Sequence, residues 1–121
     1  MSGYLTKSEL SELLHELEIA VNEGVVSEQN TNTLPRIVYW PYVEADIVAS
    51  GEEYSNLVTY QISFFARTPQ HAKYKALRKL LRKKGLHPQF YHEYVEKDPY
   101  YSKTWHTYFS LEVLEEIEDE D

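Results

Sequence analysis

Two runs of alternating residues constrain this 121-residue chain more than any other feature of it. From Leu57 to Arg67, Val58, Tyr60, Ile62, Phe64 and Ala66 fall on one side of an extended chain, and Thr59, Gln61, Ser63 and Phe65 on the other. From Thr104 to Leu114, Trp105, Thr107, Phe109, Leu111 and Val113 again share a side. A sustained period of two marks a strand with one face buried, so the chain must build a sheet and cover it.

Two helical stripes are available as cover. Thr6-Lys7-Ser8-Glu9 fits a capping box, with Leu5 and Leu10 placed for a hydrophobic staple. Leu10, Leu13, Leu14, Leu17, Ala20 and Val21 then recur at three- and four-residue spacing with Glu9, Glu12, Glu16 and Glu23 outward, which predicts a helix as far as Gly24. A second helix is predicted from Thr68-Pro69, a cap hydroxyl followed by a proline at the first helical position, to Gly85. At 100° per residue Tyr74, Leu77, Leu80 and Leu81 share one arc of it, and Lys75, Arg78, Lys79 and Arg82 the opposite arc.

The remaining segments are shorter or interrupted. Ile37-Val38-Tyr39-Trp40 is β-branched and aromatic, but Pro41 lacks the amide of a central strand, so an edge position or an interruption is expected there, with Tyr42 to Val48 resuming. Ser50-Gly51-Glu52-Glu53 reads as a turn, Gln89 to Glu96 as a further strand, and the loops Asn22–Thr33 and Lys97–Lys103 as candidates for partner contact. The expectation is an α+β domain over residues 1–114, ordered α-β-β-α-β-β, with a mixed or antiparallel sheet of about four strands and both helices on one face. Residues 115–121 form an acidic C-terminal tail.

Composition removes several functions. No cysteine is present, which excludes a disulfide framework, a thiol nucleophile and a zinc ribbon, and suits a reducing compartment. The N-terminal residues resemble neither a signal peptide nor an apolar span, so a cytoplasmic protein without a membrane partner is expected. The five histidines, His15, His71, His87, His92 and His106, fall in no metal-binding spacing, no serine stands in G-x-S-x-G, and four glycines build no phosphate loop. No catalytic, metal or cofactor site is expected, and the chain reads as a non-enzyme.

Charge points instead to partners. The net charge is −8, yet Lys73 to Lys84 carries seven cations and no acid, while the last ten residues carry seven acids. The basic helix could contact phosphates, which makes a nucleic-acid-binding regulator using residues 68–85 one reading, opposed by the overall negative field. Lys75, Arg78, Lys79 and Arg82 are the candidate basic face, and Glu115, Glu116, Glu118 and Asp119 the acidic one. The loop pair Tyr100-Tyr101 supplies amphipathic rings suited to an interface.

The run Tyr60-Gln61-Ile62-Ser63-Phe64-Phe65-Ala66-Arg67-Thr68-Pro69, the basic helix closing at Lys84-Gly85-Leu86, and the final Tyr108-Phe109-Ser110-Leu111-Glu112-Val113 together resemble the tail-completion or tail-terminator proteins of long-tailed bacteriophages of Gram-positive hosts. The N-terminal helix and the Ile37-Val38-Tyr39 strand fit the same order, so the resemblance spans nearly the whole chain. It implies a structural virion protein, assembled in the host cytoplasm, that forms a ring, commonly a hexamer, on the head-proximal end of the tail tube. Such a ring ends tube growth and joins the tail to the head. Its partners would be further copies of itself, the tail-tube protein and a head-completion or neck protein, with genomic DNA passing only as cargo. Another neck position in the same virion is the alternative that the resemblance leaves open.

Overall fold

The computed structural model describes residues 4–24, 34–49, 53–97 and 102–116. Among the described residues the chain is α+β, with two helices and one mixed sheet. The elements are α1 (Lys7–His15), β1 (Ala20–Glu23), β2 (Arg36–Ala49), β3 (Glu53–Ala66), α2 (Ala72–Lys83), β4 (Tyr91–Lys97) and β5 (Ser102–Glu116). The sheet has five strands rather than about four, in the order β1-β2-β3-β5-β4. Only the β1–β2 pair is parallel.

The extra strand comes from the end of the first predicted helix. The capping box forms as expected, with the Glu9 amide donating to Thr6 Oγ1 at 3.1 Å and the Thr6 amide to Glu9 Oε1 at 3.0 Å. Leu5 and Leu10 are both buried, and the Leu5 carbonyl also accepts from the Leu114 amide at 2.9 Å. The helix nevertheless ends at His15. Glu18 turns the chain in the left-handed region at φ 56°, and Ala20–Glu23 then runs parallel to Arg36–Tyr39. Ile19 and Val21, β-branched, stay against the core in this extended form, so pairing with β2 satisfies the same apolar stripe that a longer helix would have buried. Gly24 follows a strand instead of a helix, its amide donating to the Tyr39 carbonyl at 2.8 Å.

The start of α2 is also displaced. Thr68 and Pro69 lie in the turn after β3, Gln70 reverses the chain at φ 53°, and the N-cap is His71, whose Nδ1 accepts from the Lys73 amide at 3.0 Å. The predicted stop holds: Gly85 takes φ 73°, the Leu86 amide donates to Leu81 O at 2.8 Å and the Gly85 amide to Arg82 O at 3.0 Å, a Schellman closure.

One core fills the space between the sheet and the helices. Leu10, Leu13, Leu14 and Leu17 from the α1 region and Tyr74, Leu77 and Leu81 from α2 pack on Ile37 and Tyr39 of β2, on Val58 to Ala66 at alternate positions of β3, and on Phe109, Leu111 and Val113 of β5. Both helices therefore lie on one face, and among the described residues no helix covers the other. Strand β2 continues through Pro41, because β1 covers only Arg36–Tyr39 and the proline amide is not needed beyond that point. The pairing with β3 shifts between Pro41 and Val43, which makes Tyr42 the extra residue of a bulge.

Candidate functional site

The basic helix presents its charge as expected. Tyr74, Leu77 and Leu81 are buried, Lys75, Lys79 and Arg82 are exposed, and Arg78 is half-buried with its guanidinium carbon 4.9 Å from the centre of the Phe90 ring. None of these four cations pairs with a carboxylate among the described residues. Lys73 points the other way, its Nζ donating to the Leu17 carbonyl at 2.7 Å and tying α2 to the end of the α1 region.

The acidic candidates separate. Glu115 and Glu116, placed with the tail by their sequence, are the last residues of β5 and pair with Asn56 and Ser55. Glu115 Oε1 accepts from the Tyr60 hydroxyl at 3.0 Å. Burial first, and then that hydrogen bond and the glutamate's charge, raise the Tyr60 pKa far above its ordinary value. Glu115 is thus engaged within its own chain. Glu118, Asp119, Tyr100 and Tyr101, with the greater part of both partner-contact loops and the Ser50–Glu52 portion of the turn, lie outside the described residues.

The helix-free face carries an arrangement that sequence reasoning missed. Alternation and register bring Ser63 of β3, His106 of β5 and Glu93 of β4 side by side across three strands. Glu93 Oε1 lies 2.7 Å from His106 Nδ1, and His106 Nε2 lies 2.8 Å from Ser63 Oγ. With a neutral imidazole the carboxylate accepts from Nδ1–H and Nε2 accepts from the hydroxyl. This has the order of a hydrolytic triad, but Ser63 is 0 % exposed. On the same face rings stack across the strands: Phe65 on His106 at 4.6 Å, His106 on Tyr108 at 4.9 Å and Tyr108 on Tyr91 at 5.3 Å. Arg36 closes the stack at 4.3 Å over Phe65. The constellation is a polar tie between β3, β5 and β4. Its partners are far apart in sequence, and no local motif announces it.

On the opposite face the loop before α2, together with His92, Trp105 and Thr107, encloses a cleft of about 170 Å³ lined also by Phe64, His71 and Tyr74. His92 Nδ1 lies 2.8 Å from Thr107 Oγ1, and its ring meets Tyr74 edge to face. Both imidazoles have local partners, and no group of three metal-ligating side chains occurs among the described residues.

Beyond the helices the sheet reverses its polarity. Up to Tyr39 the apolar odd-numbered residues of β2 face α1 and α2. After the Tyr42 bulge Val43, Ala45 and Ile47 oppose Thr59, Leu57 and Ser55 on the helix-free side, and Glu44 and Asp46 take the helix side. Tyr42 lies on the helix-free side as well, its hydroxyl 3.2 Å from Ser110 Oγ. Tyr42, Val43 and Ile47 are all exposed, Val43 at 47 %. At the opposite edge of the sheet Tyr91 is 48 % exposed, and Tyr94 is exposed on the other side of the same strand. The sequence carries the alternation, but the face it serves depends on a bulge that sequence alone does not place. Among the described residues no helix is long and apolar enough to cross a membrane. No protein-family model matches this chain, and no curated protein sequence matches it.

Proposed function

We propose that this chain is a non-enzymatic structural protein of a long-tailed bacteriophage virion, which caps the head-proximal end of the tail tube as a ring, stops tube polymerisation and joins tail to head. The reading starts from the resemblance of residues 60–69, 84–86 and 108–113 to tail-terminator proteins. One structural observation carries it further: a single sheet bears exposed apolar groups at two different edges, with cations that pair with no carboxylate among the described residues beside one and acids beside the other. Surfaces that differ and complement each other favour head-to-tail contacts, which close into a ring when the rotation between copies is right. The same protein in another neck position would use the same contacts.

The test is polymerisation of tail-tube protein with and without this chain, with tube lengths and ends recorded by electron microscopy. Substoichiometric addition shortens the tubes and leaves density at one end. An unchanged length distribution with bare ends overturns the proposal. The exposed Lys75, Lys79 and Arg82 favour the second reading, a nucleic-acid binder, whose mark is retention on DNA that falls by orders of magnitude with added salt.

A further inference from the structure

The two exposed edges match each other in detail. At the β2 edge, past the end of β1, apolar Tyr42, Val43 and Ile47 occupy the helix-free side and Glu44 and Asp46 the helix side. At the β4 edge Tyr91 occupies the helix-free side, stacked on Tyr108, next to Glu93, whose carboxylate is held by His106, and Tyr94 is exposed on the helix side. On the helix side of that edge stands α2, since Arg78 packs over Phe90, the residue that leads into β4. Lys75 and Arg82 flank Arg78 on the same stripe of the helix, at three- and four-residue spacing. Two sheets set edge to edge with the same face upward therefore bring apolar groups to apolar groups on one side and acids to bases on the other. Turning one sheet over would set the acids against Tyr91 and the cations against Val43.

We propose that the β2 edge of one copy docks on the β4 edge of the next, with Tyr42, Val43 and Ile47 meeting Tyr91, and Glu44 and Asp46 meeting Lys75 and Arg82. This rests on the ring reading and names its contact. The occupant is a second copy of this chain, because complementary charges and matching apolar sides are found together on the same polypeptide. The two edges stand at opposite sides of the sheet order and at different heights along the strands. The contact is thus heterologous, and each copy keeps one edge free for the next until the ring closes. Pro41 and the Tyr42 bulge disrupt plain strand addition at the β2 edge, so side chains rather than a continuous hydrogen-bond ladder set the register between copies.

Because the chain has no cysteine, cross-linking can be read without background. Val43→Cys and Tyr91→Cys are prepared as separate full-length proteins and oxidised singly and as a mixture, free at high concentration and on tail-tube ends. A covalent dimer forms in the mixture and not in either protein alone. Carrying Glu44→Lys with Asp46→Lys on the first protein slows the cross-link about tenfold, as does Lys75→Glu with Arg82→Glu on the second, and combining both reversals restores it. Self-cross-linking of Val43→Cys at the rate of the mixture overturns the proposal in favour of symmetric pairing. A mixture no faster than Val43→Cys with Ser8→Cys on α1 overturns it outright. If native mass spectrometry still finds a closed assembly in that second case, the ring reading survives without this contact, whereas monomers under all conditions, tube ends included, remove both.

Discussion

A hydroxyl 2.8 Å from an imidazole that itself lies 2.7 Å from a carboxylate can react or can hold strands together, and access to the hydroxyl decides which. With Ser63 fully buried, His106→Ala leaves that hydroxyl without its partner beneath a cavity, a loss of about 3 kcal/mol in urea unfolding. Ser63→Ala removes the buried group itself and costs about 1 kcal/mol. A fluorophosphonate that labels Ser63 in the native protein would contradict this account. Glu9 and Tyr60 set the pH limits. The Thr6 backbone amide, and then its hydroxyl, hold the Glu9 carboxyl below its ordinary 4.5. A lowered folded value means that its contribution is present above the unfolded pKa and is lost as pH falls through the folded one. Glu9→Gln is therefore destabilising at pH 7 and neutral near pH 3, and an equal difference at both would refute the capping role. Tyr60 has the opposite sign: its pKa is raised above 10.0, so its contribution is complete below that value and fades as pH climbs toward the folded one. Tyr60→Phe flattens the alkaline loss of stability in unfolding curves taken between pH 9 and 11.

Among the elements, the β2 bulge has the largest consequence. Deleting Tyr42 removes the extra residue and restores simple pairing, with Pro41 opposite Tyr60 and Val43 still opposite Thr59, so Val43 and Ile47 keep the helix-free side and Glu44 and Asp46 the helix side. The variant keeps its circular dichroism and still forms the Val43–Tyr91 cross-link, and loss of the cross-link would contradict this reading of the register. The core strands β3 and β5, the cap at Thr6 and the stop at Gly85 were legible because each is written locally, as alternation, a hydroxyl–carboxylate spacing or a glycine. Strand β1 was not. Ile19 and Val21 suit a helical stripe and a strand equally, and the choice is made by pairing with Arg36–Tyr39 across a long gap in sequence. The start of α2 was misplaced for a related reason, since Thr68-Pro69 satisfies the local signal while Gln70 turns the chain and His71 supplies the cap. Of the candidate site, the exposed cations of α2 were readable from their spacing, whereas the hydrogen bond from Tyr60 to Glu115 joins residues far apart in sequence that no local pattern links. Glu44 and Asp46 carry no local pattern that marks them, and only the bulge places them together on the helix side.

For the whole molecule, the distribution of charge matters more than its total. A net −8 opposes the approach of copies, and the proposed contact sets the α2 cations beside β4 against the acids beside the distal β2 edge. If the proposed contact forms, assembly weakens with salt, and its apolar part at Val43 is the part that salt does not remove. Val43→Asp, at an exposed position, leaves folding stability within about 0.5 kcal/mol and abolishes association, separating assembly from folding. The most direct measurement is native mass spectrometry of the chain with short tail tubes, for the original protein and Val43→Asp side by side. The account predicts one closed multi-copy species, a hexamer by the resemblance, for the original protein and monomer alone for the variant. A symmetric dimer, or monomer alone for both, would contradict it.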